Sequence, residues 1–157
     1  LVPIGQNPTS RLWEFYDLRS AWDGRADPMA LPIPTHRADG SLVLDEVMGI
    51  VFVLVPGGTF VMGAQNTRPN DPNHEAAARV GEDAHCVALA PFLIARHELT
   101  QAQWERLWNG DPGQLRPSQY RAGMDDQRRG AVTALHPVEQ VSWTMANRLA
   151  SDHGLCL

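Results

Sequence analysis

A chain of 157 residues, 43% of them hydrophobic, can bury well over half of its extended-chain surface in one domain. Eighteen acidic against 13 basic residues leave a net charge of -5, and the short Arg128-Arg129 pair does not reverse it, which argues against nucleic acid or an anionic membrane as the main partner. No stretch approaches the roughly 20 apolar residues of a membrane span, the start lacks a basic-then-apolar signal pattern, and two cysteines make no disulfide framework.

Residues 1 to 9, with Pro3, Gly5, Asn7 and Pro8, read as an irregular lead-in. A helix is expected next, because Leu12, Phe15, Tyr16 and Trp22 fall on one apolar face, with Asn7 or Ser10 as N-cap and Asp23-Gly24 as the stop. Pro28, Pro32 and Pro34 make 25 to 34 an extended linker or strap. Asp39-Gly40 marks a turn before a short strand at Leu42 to Leu44.

Ile50 to Val55 is an uninterrupted, β-branched apolar run, the pattern of a strand buried on both faces. Pro56-Gly57-Gly58 ends it and is expected to reverse the chain into Thr59 to Met62 as a β-hairpin that leaves at Gly63. Residues 64 to 84 then form a long polar loop. Asp71, His74, Glu75, Asp83 and His85 are metal-binding residue types, but their spacing matches no defined metal site, so a solvated loop is the reading.

Cys86 to Ile94 is the next strand, bent or interrupted at Pro91. Thr100 with Gln103 forms a capping box for a helix that carries Trp104, Leu107 and Trp108 on one side and ends at Gly110 to Gly113. Leu115 to Thr133 is loop-like, and its adjacent Asp125 and Asp126 are a weak pair for acid-base chemistry because neighbouring loop side chains need not converge. His136 to Val141 is extended ahead of a helix capped by Ser142, with Trp143, Ala146, Leu149 and Ala150 as the buried stripe and Gly154 as the C′ residue. Leu155 to Leu157 reads as the start of another strand. The chain opens on Leu1 and closes on this apolar run, so the expectation is a segment of a longer protein.

Phosphate-binding, dinucleotide, zinc-protease and nucleophile-elbow motifs are missing. The histidines His36, His74, His85, His97, His136 and His153 are scattered, and structural or solvent-facing roles are assigned to each. Cys86 and Cys156 either bridge, if the fold brings their Cα atoms within about 7 Å, or stay as two buried free thiols.

Four segments in order carry more information: Pro56 to Gly63 (PGGTFVMG), His85 to Ile94 (HCVALAPFLI), Glu98 to Trp104 (ELTQAQW) and His136 to Trp143 (HPVEQVSW). From about Gly49 onward the chain resembles the formylglycine-generating enzyme family, also called sulfatase-modifying factors. The resemblance implies an α+β, C-type-lectin-like fold, irregular and loop-rich, of which 49 to 157 is the N-terminal part and 1 to 48 a lead-in helix and proline-rich linker. It implies a bacterial, multidomain protein whose full form is an oxidoreductase that converts a cysteine of a sulfatase-like polypeptide to formylglycine. Alternatives within the same fold are a noncatalytic module binding protein or glycan and, ranked lower, an iron-dependent sulfoxide synthase.

In the oxidases, copper is held by a cysteine pair, and structural calcium is bound, in the C-terminal half of the domain. Neither Cys86 nor Cys156 matches those positions, so the resemblance assigns no catalytic, cofactor-binding or metal residue within this chain. The missing half of the same domain is the partner it implies. Two departures from the family pattern are Ala84, where proline often precedes the histidine strand, and Met145, where an acidic residue is common near the helix start.

Overall fold

The computed structural model describes residues 1–25, 27–78, 83–121, 123–126 and 130–157. They divide into two compact units, one of 1–53 with 94–157 and one of 54–93. Among the described residues no helix is long and apolar enough to cross a membrane.

The first unit opens with β1 (Val2–Gln6) and β2 (Trp13–Tyr16), an antiparallel pair with a register irregularity between Pro3 and Gly5. The expected helix over Leu12 to Trp22 is therefore replaced by a strand and by the single turn α1 (Leu18–Ala21), capped by Asp17. Aromatic residues suit a pleated, half-buried surface, and Glu14 and Tyr16 alternate inward against exposed Trp13. Asn7 makes the turn: its Oδ1 accepts from the Thr9 and Ser10 amides, while its own amide donates to the Leu12 carbonyl. The proline-rich segment carries one 3-10 turn at Pro28–Ala30. Residues 42 to 44 form no strand, although Leu42 is buried.

β3 (Val51–Val55) pairs with β2 on one side and with β6 (Phe92–Ala95) on the other, giving the order β1-β2-β3-β6. Its beginning is buried on both faces, as the apolar run predicts. Ile50 and Phe52 join Trp104, Leu107, Trp108 and Leu149 in one cluster, whereas Val51 joins Tyr16, Ala21, Leu42 and Met48 in the other. From Val53 onward the strand is half-buried.

The expected β-hairpin does not form between β3 and β4 (Gly58–Met62). Strand β4 pairs instead with β5 (His85–Leu89) in a separate two-stranded sheet, with Phe60 opposite Val87. Pro56 to Gly58 thus carries the chain from one sheet into another. Gly57 lies where a Cβ would be 2.8 Å from the Leu89 carbonyl oxygen and from the Pro91 ring, so close backbone approach accounts for glycine there. Every residue of β4 is exposed, which replaces the apolar core expected of this run. Pro91 interrupts Cys86 to Ile94 as expected, splitting it into β5 and β6.

Helix α2 (Gln101–Leu107) has the predicted capping box: Thr100 Oγ1 accepts from the Gln103 amide, and Gln103 Oε1 accepts from the Thr100 amide. Thr100→Ala is expected to cost about 1 kcal/mol, read as a lower denaturation midpoint at unchanged slope. Trp104 and Trp108, one turn apart, stack with centroids 4.9 Å apart. Two-residue strands β7 (Asp125–Asp126) and β8 (Gly130–Ala131) pair within the 115 to 133 segment, and Arg128 and Arg129 lie outside the described residues.

Ser142 caps α3 (Trp143–Asp152), and Gly154, at φ 68°, follows its end. Leu149 and Ala150 are buried as expected, but Trp143 is 71% exposed. It precedes Met145, which packs on the Trp104 cluster, by two residues, or about 200° around the helix, and so falls on the opposite face. Leu155 to Leu157 does not form a strand.

Candidate functional site

The most built polar site in the first unit surrounds Glu14, which is only 2% exposed. Strand alternation turns it inward from β2. Its Oε1 accepts from Asn7 Nδ2 at 2.9 Å, and its Oε2 accepts from Arg96 Nη1 and lies 2.9 Å from His36 Nε2. Arg96 Nη2 and Asn7 Nδ2 also donate to the Gly40 carbonyl, at 2.7 and 2.9 Å. Gly40 adopts φ 81°, and a Cβ there would come within 2.5 Å of Asn7 Oδ1. Three stretches distant in sequence therefore meet on one carboxylate.

Burial raises the Glu14 pKa, but hydrogen bonds from His36, Arg96 and Asn7, with the Arg96 charge, outweigh it and hold the carboxyl below its ordinary range. A carboxylate so stabilised is a poor general base near neutral pH. Beside the cluster lies an open cleft of about 430 Å³, rimmed by Thr9, Ser10, Leu12, Ser41 and Val53. Its rim hydroxyls are engaged locally: Thr9 Oγ1 donates to the Asp39 carbonyl and Ser41 Oγ to Asp39 Oδ1. The cluster acts as an anchor between β2, the 36–40 turn and the residue following β6.

A smaller cavity of about 30 Å³, room for one water, lies between Gly49, Ile50, His97, Thr100 and Gln103. Burial lowers the pKa of His97, the neighbouring Arg96 charge adds to this and Glu14 partly opposes it, so the imidazole is held toward its neutral form.

Residues singled out by type have local roles. In the second unit Asp71 pairs with Arg68 at 3.0 Å, Glu75 Oε1 accepts from the Ala77 amide, and His85 Nδ1 lies 2.8 Å from the Asp83 carbonyl. The backbone at His74 forms an isolated parallel β-bridge with that of Gln65, and Asn73 Nδ2 donates to the Val61 and Gly63 carbonyls at 2.9 Å each. In the first unit His136 Nδ1 accepts from the Thr133 amide, and His153 Nε2 lies 2.9 Å from the Leu107 carbonyl. Asp125 and Asp126 are neighbours in β7. Cys86 and Cys156 are free thiols, and both are exposed where burial was expected. Glu14 and Arg96 were not singled out by sequence reasoning, because a helical reading of Trp13 to Tyr16 gives Glu14 no special face; a period of two would have turned it inward.

The sequence profile of the Sulfatase-modifying factor enzyme 1-like domain matches residues 45–154. The chain belongs to this family. The match to the sulfatase-modifying factor domain begins just ahead of β3 and ends at Gly154, so it takes in α2 and α3 but leaves β1, β2 and α1 outside. No curated protein and no solved structure matches the chain.

Copper would be held in this chain by thiolates, the soft ligands that Cu(I) prefers. Among the described residues no three His, Cys, Asp or Glu side chains converge as a metal set, and neither exposed thiol sits in such a group.

Proposed function

We propose that the chain is the scaffold portion of a C-type-lectin-like, formylglycine-generating domain whose full form oxidises a cysteine in a sulfatase-like polypeptide. The observation that carries this reading is the family match across 45–154, which spans all four segments that suggested it. On this reading Cys86 and Cys156 are not the copper-binding thiols, because the thiolate pair suited to soft Cu(I) lies in the C-terminal half of the family's domain and neither residue matches its position. Copper would supply the oxygen chemistry. This chain would supply two packed clusters and the Glu14 anchor on which the catalytic part rests.

The test is mass spectrometry of a Cys-x-Pro-x-Arg peptide incubated with Cu(I) and oxygen. These 157 residues alone are expected to leave the peptide thiol unchanged. Aldehyde formation by them would refute the assignment of the catalytic thiols to other residues.

A further inference from the structure

The family match starts at residue 45, yet the structure ties residues before it into the matched core at several buried points. Asp17 donates its amide to the Ile50 carbonyl at 2.9 Å. Ser20, 1% exposed, receives the Ile50 amide on its Oγ at 2.7 Å and passes its own hydroxyl proton to the Asp17 carbonyl at 2.8 Å. The Tyr16 hydroxyl accepts from the Gly49 amide at 2.9 Å.

Gly49 sits so close to this segment that a Cβ would stand 2.7 Å from the Asp17 carbonyl oxygen and from Ser20 Oγ. Helix α2 closes the same seam: Arg106 Nε donates to the Ser20 carbonyl at 2.7 Å, and its Nη atoms donate to the Glu46 and Met48 carbonyls at 2.9 and 2.8 Å. Far along the chain, Arg19 Nη2 caps the His153 carbonyl at the end of α3, at 2.8 Å.

Without this segment β3 would lose its β2 partner, the Ile50 amide would lose its acceptor, and Val51 would lose the Tyr16 and Ala21 wall of its cluster. A buried amide stripped of its partner is among the costlier defects in a fold, and an uncovered apolar strand edge invites association. We propose that residues 1–44 are a built-in folding partner of the sulfatase-modifying-factor core: they and the parts of the matched region at 45–53 and 94–154 form one cooperative unit, so displacing the segment unfolds that unit. This holds whichever chemistry the domain carries.

Hydrogen exchange on the full chain tests this. In the wild type the amides of Asp17, Gly49 and Ile50 on the seam, and of Trp104 and Trp108 in the core, are expected to share one protection level and one denaturant dependence. With Ser20→Ala all five are expected to exchange faster by the same factor, roughly tenfold, the size set by stranding one buried amide. The proposal is overturned if the seam amides exchange through a separate, lower opening while Trp104 and Trp108 keep their protection. It is equally overturned if Ser20→Ala speeds the seam amides alone.

Discussion

Trp104→Ala is expected to destabilise the chain by about 3–5 kcal/mol, the cost of emptying a large aromatic site in a closed core. Trp104 is 1% exposed and is the largest side chain buried to that degree. It stacks on Trp108, and its Nε1 donates to the Gln114 carbonyl at 3.3 Å, so truncation removes ring contacts and strands an acceptor together. Ile50 and Phe52 from β3 and Leu149 from α3 share the same cluster, which leaves the cavity no single neighbour able to fill it. Trp104→Phe keeps a ring against Trp108 and should lose less. Guanidinium denaturation reads both, with midpoints falling in that order; a loss for alanine under about 0.5 kcal/mol, the level of an ordinary surface change, would contradict the packing described.

Glu14→Ala should be of comparable size, about 3–5 kcal/mol, because it leaves the Arg96 guanidinium, His36 and Asn7 facing an empty acceptor site. The Arg96 side chain retains 18% exposure, which places the loss in the lower part of that range. The same group sets an acid limb. Its folded pKa lies below the ordinary carboxylate value, so its contribution is fully present above the unfolded value of about 4.3 and is lost as pH falls through the lower folded value. Stability measured against pH should therefore drop more steeply on the acid side in the wild type than in Glu14→Gln, which has no carboxylate to protonate. Parallel profiles for the two would show that Glu14 is not ion-paired in the folded chain.

Helix α2 was legible because its signals are local: the Thr100–Gln103 box and the Trp104–Leu107–Trp108 spacing act within two turns. The helix α3 cap and stop were legible for the same reason, with Ser142 and Gly154 at its ends. Trp143 misled because a stripe drawn from the first helical residue ignored which residues face the Trp104 cluster. Trp13 to Tyr16 is ambiguous by composition: four residues with three aromatics fit a helical face as well as a strand, and only pairing with β1 and β3 decides. Likewise, Pro56-Gly57-Gly58 marks a chain reversal but cannot name the partner strand, since pairing depends on distant residues and β4 takes β5. The family was legible from the four segments, whereas the Glu14 anchor joins residues as far apart as 14 and 96 and leaves no contiguous trace.

In the proposed scaffold role within a sulfatase-modifying-factor domain, Cys86 and Cys156 do not carry the chemistry. The direct measurement is formylglycine formation in a Cys-x-Pro-x-Arg peptide by the protein carrying this domain, compared with its Cys86→Ser/Cys156→Ser double variant. Equal turnover by the two is the predicted result; loss of turnover in the double variant with the fold intact, or none in the parent protein loaded with copper, would contradict it.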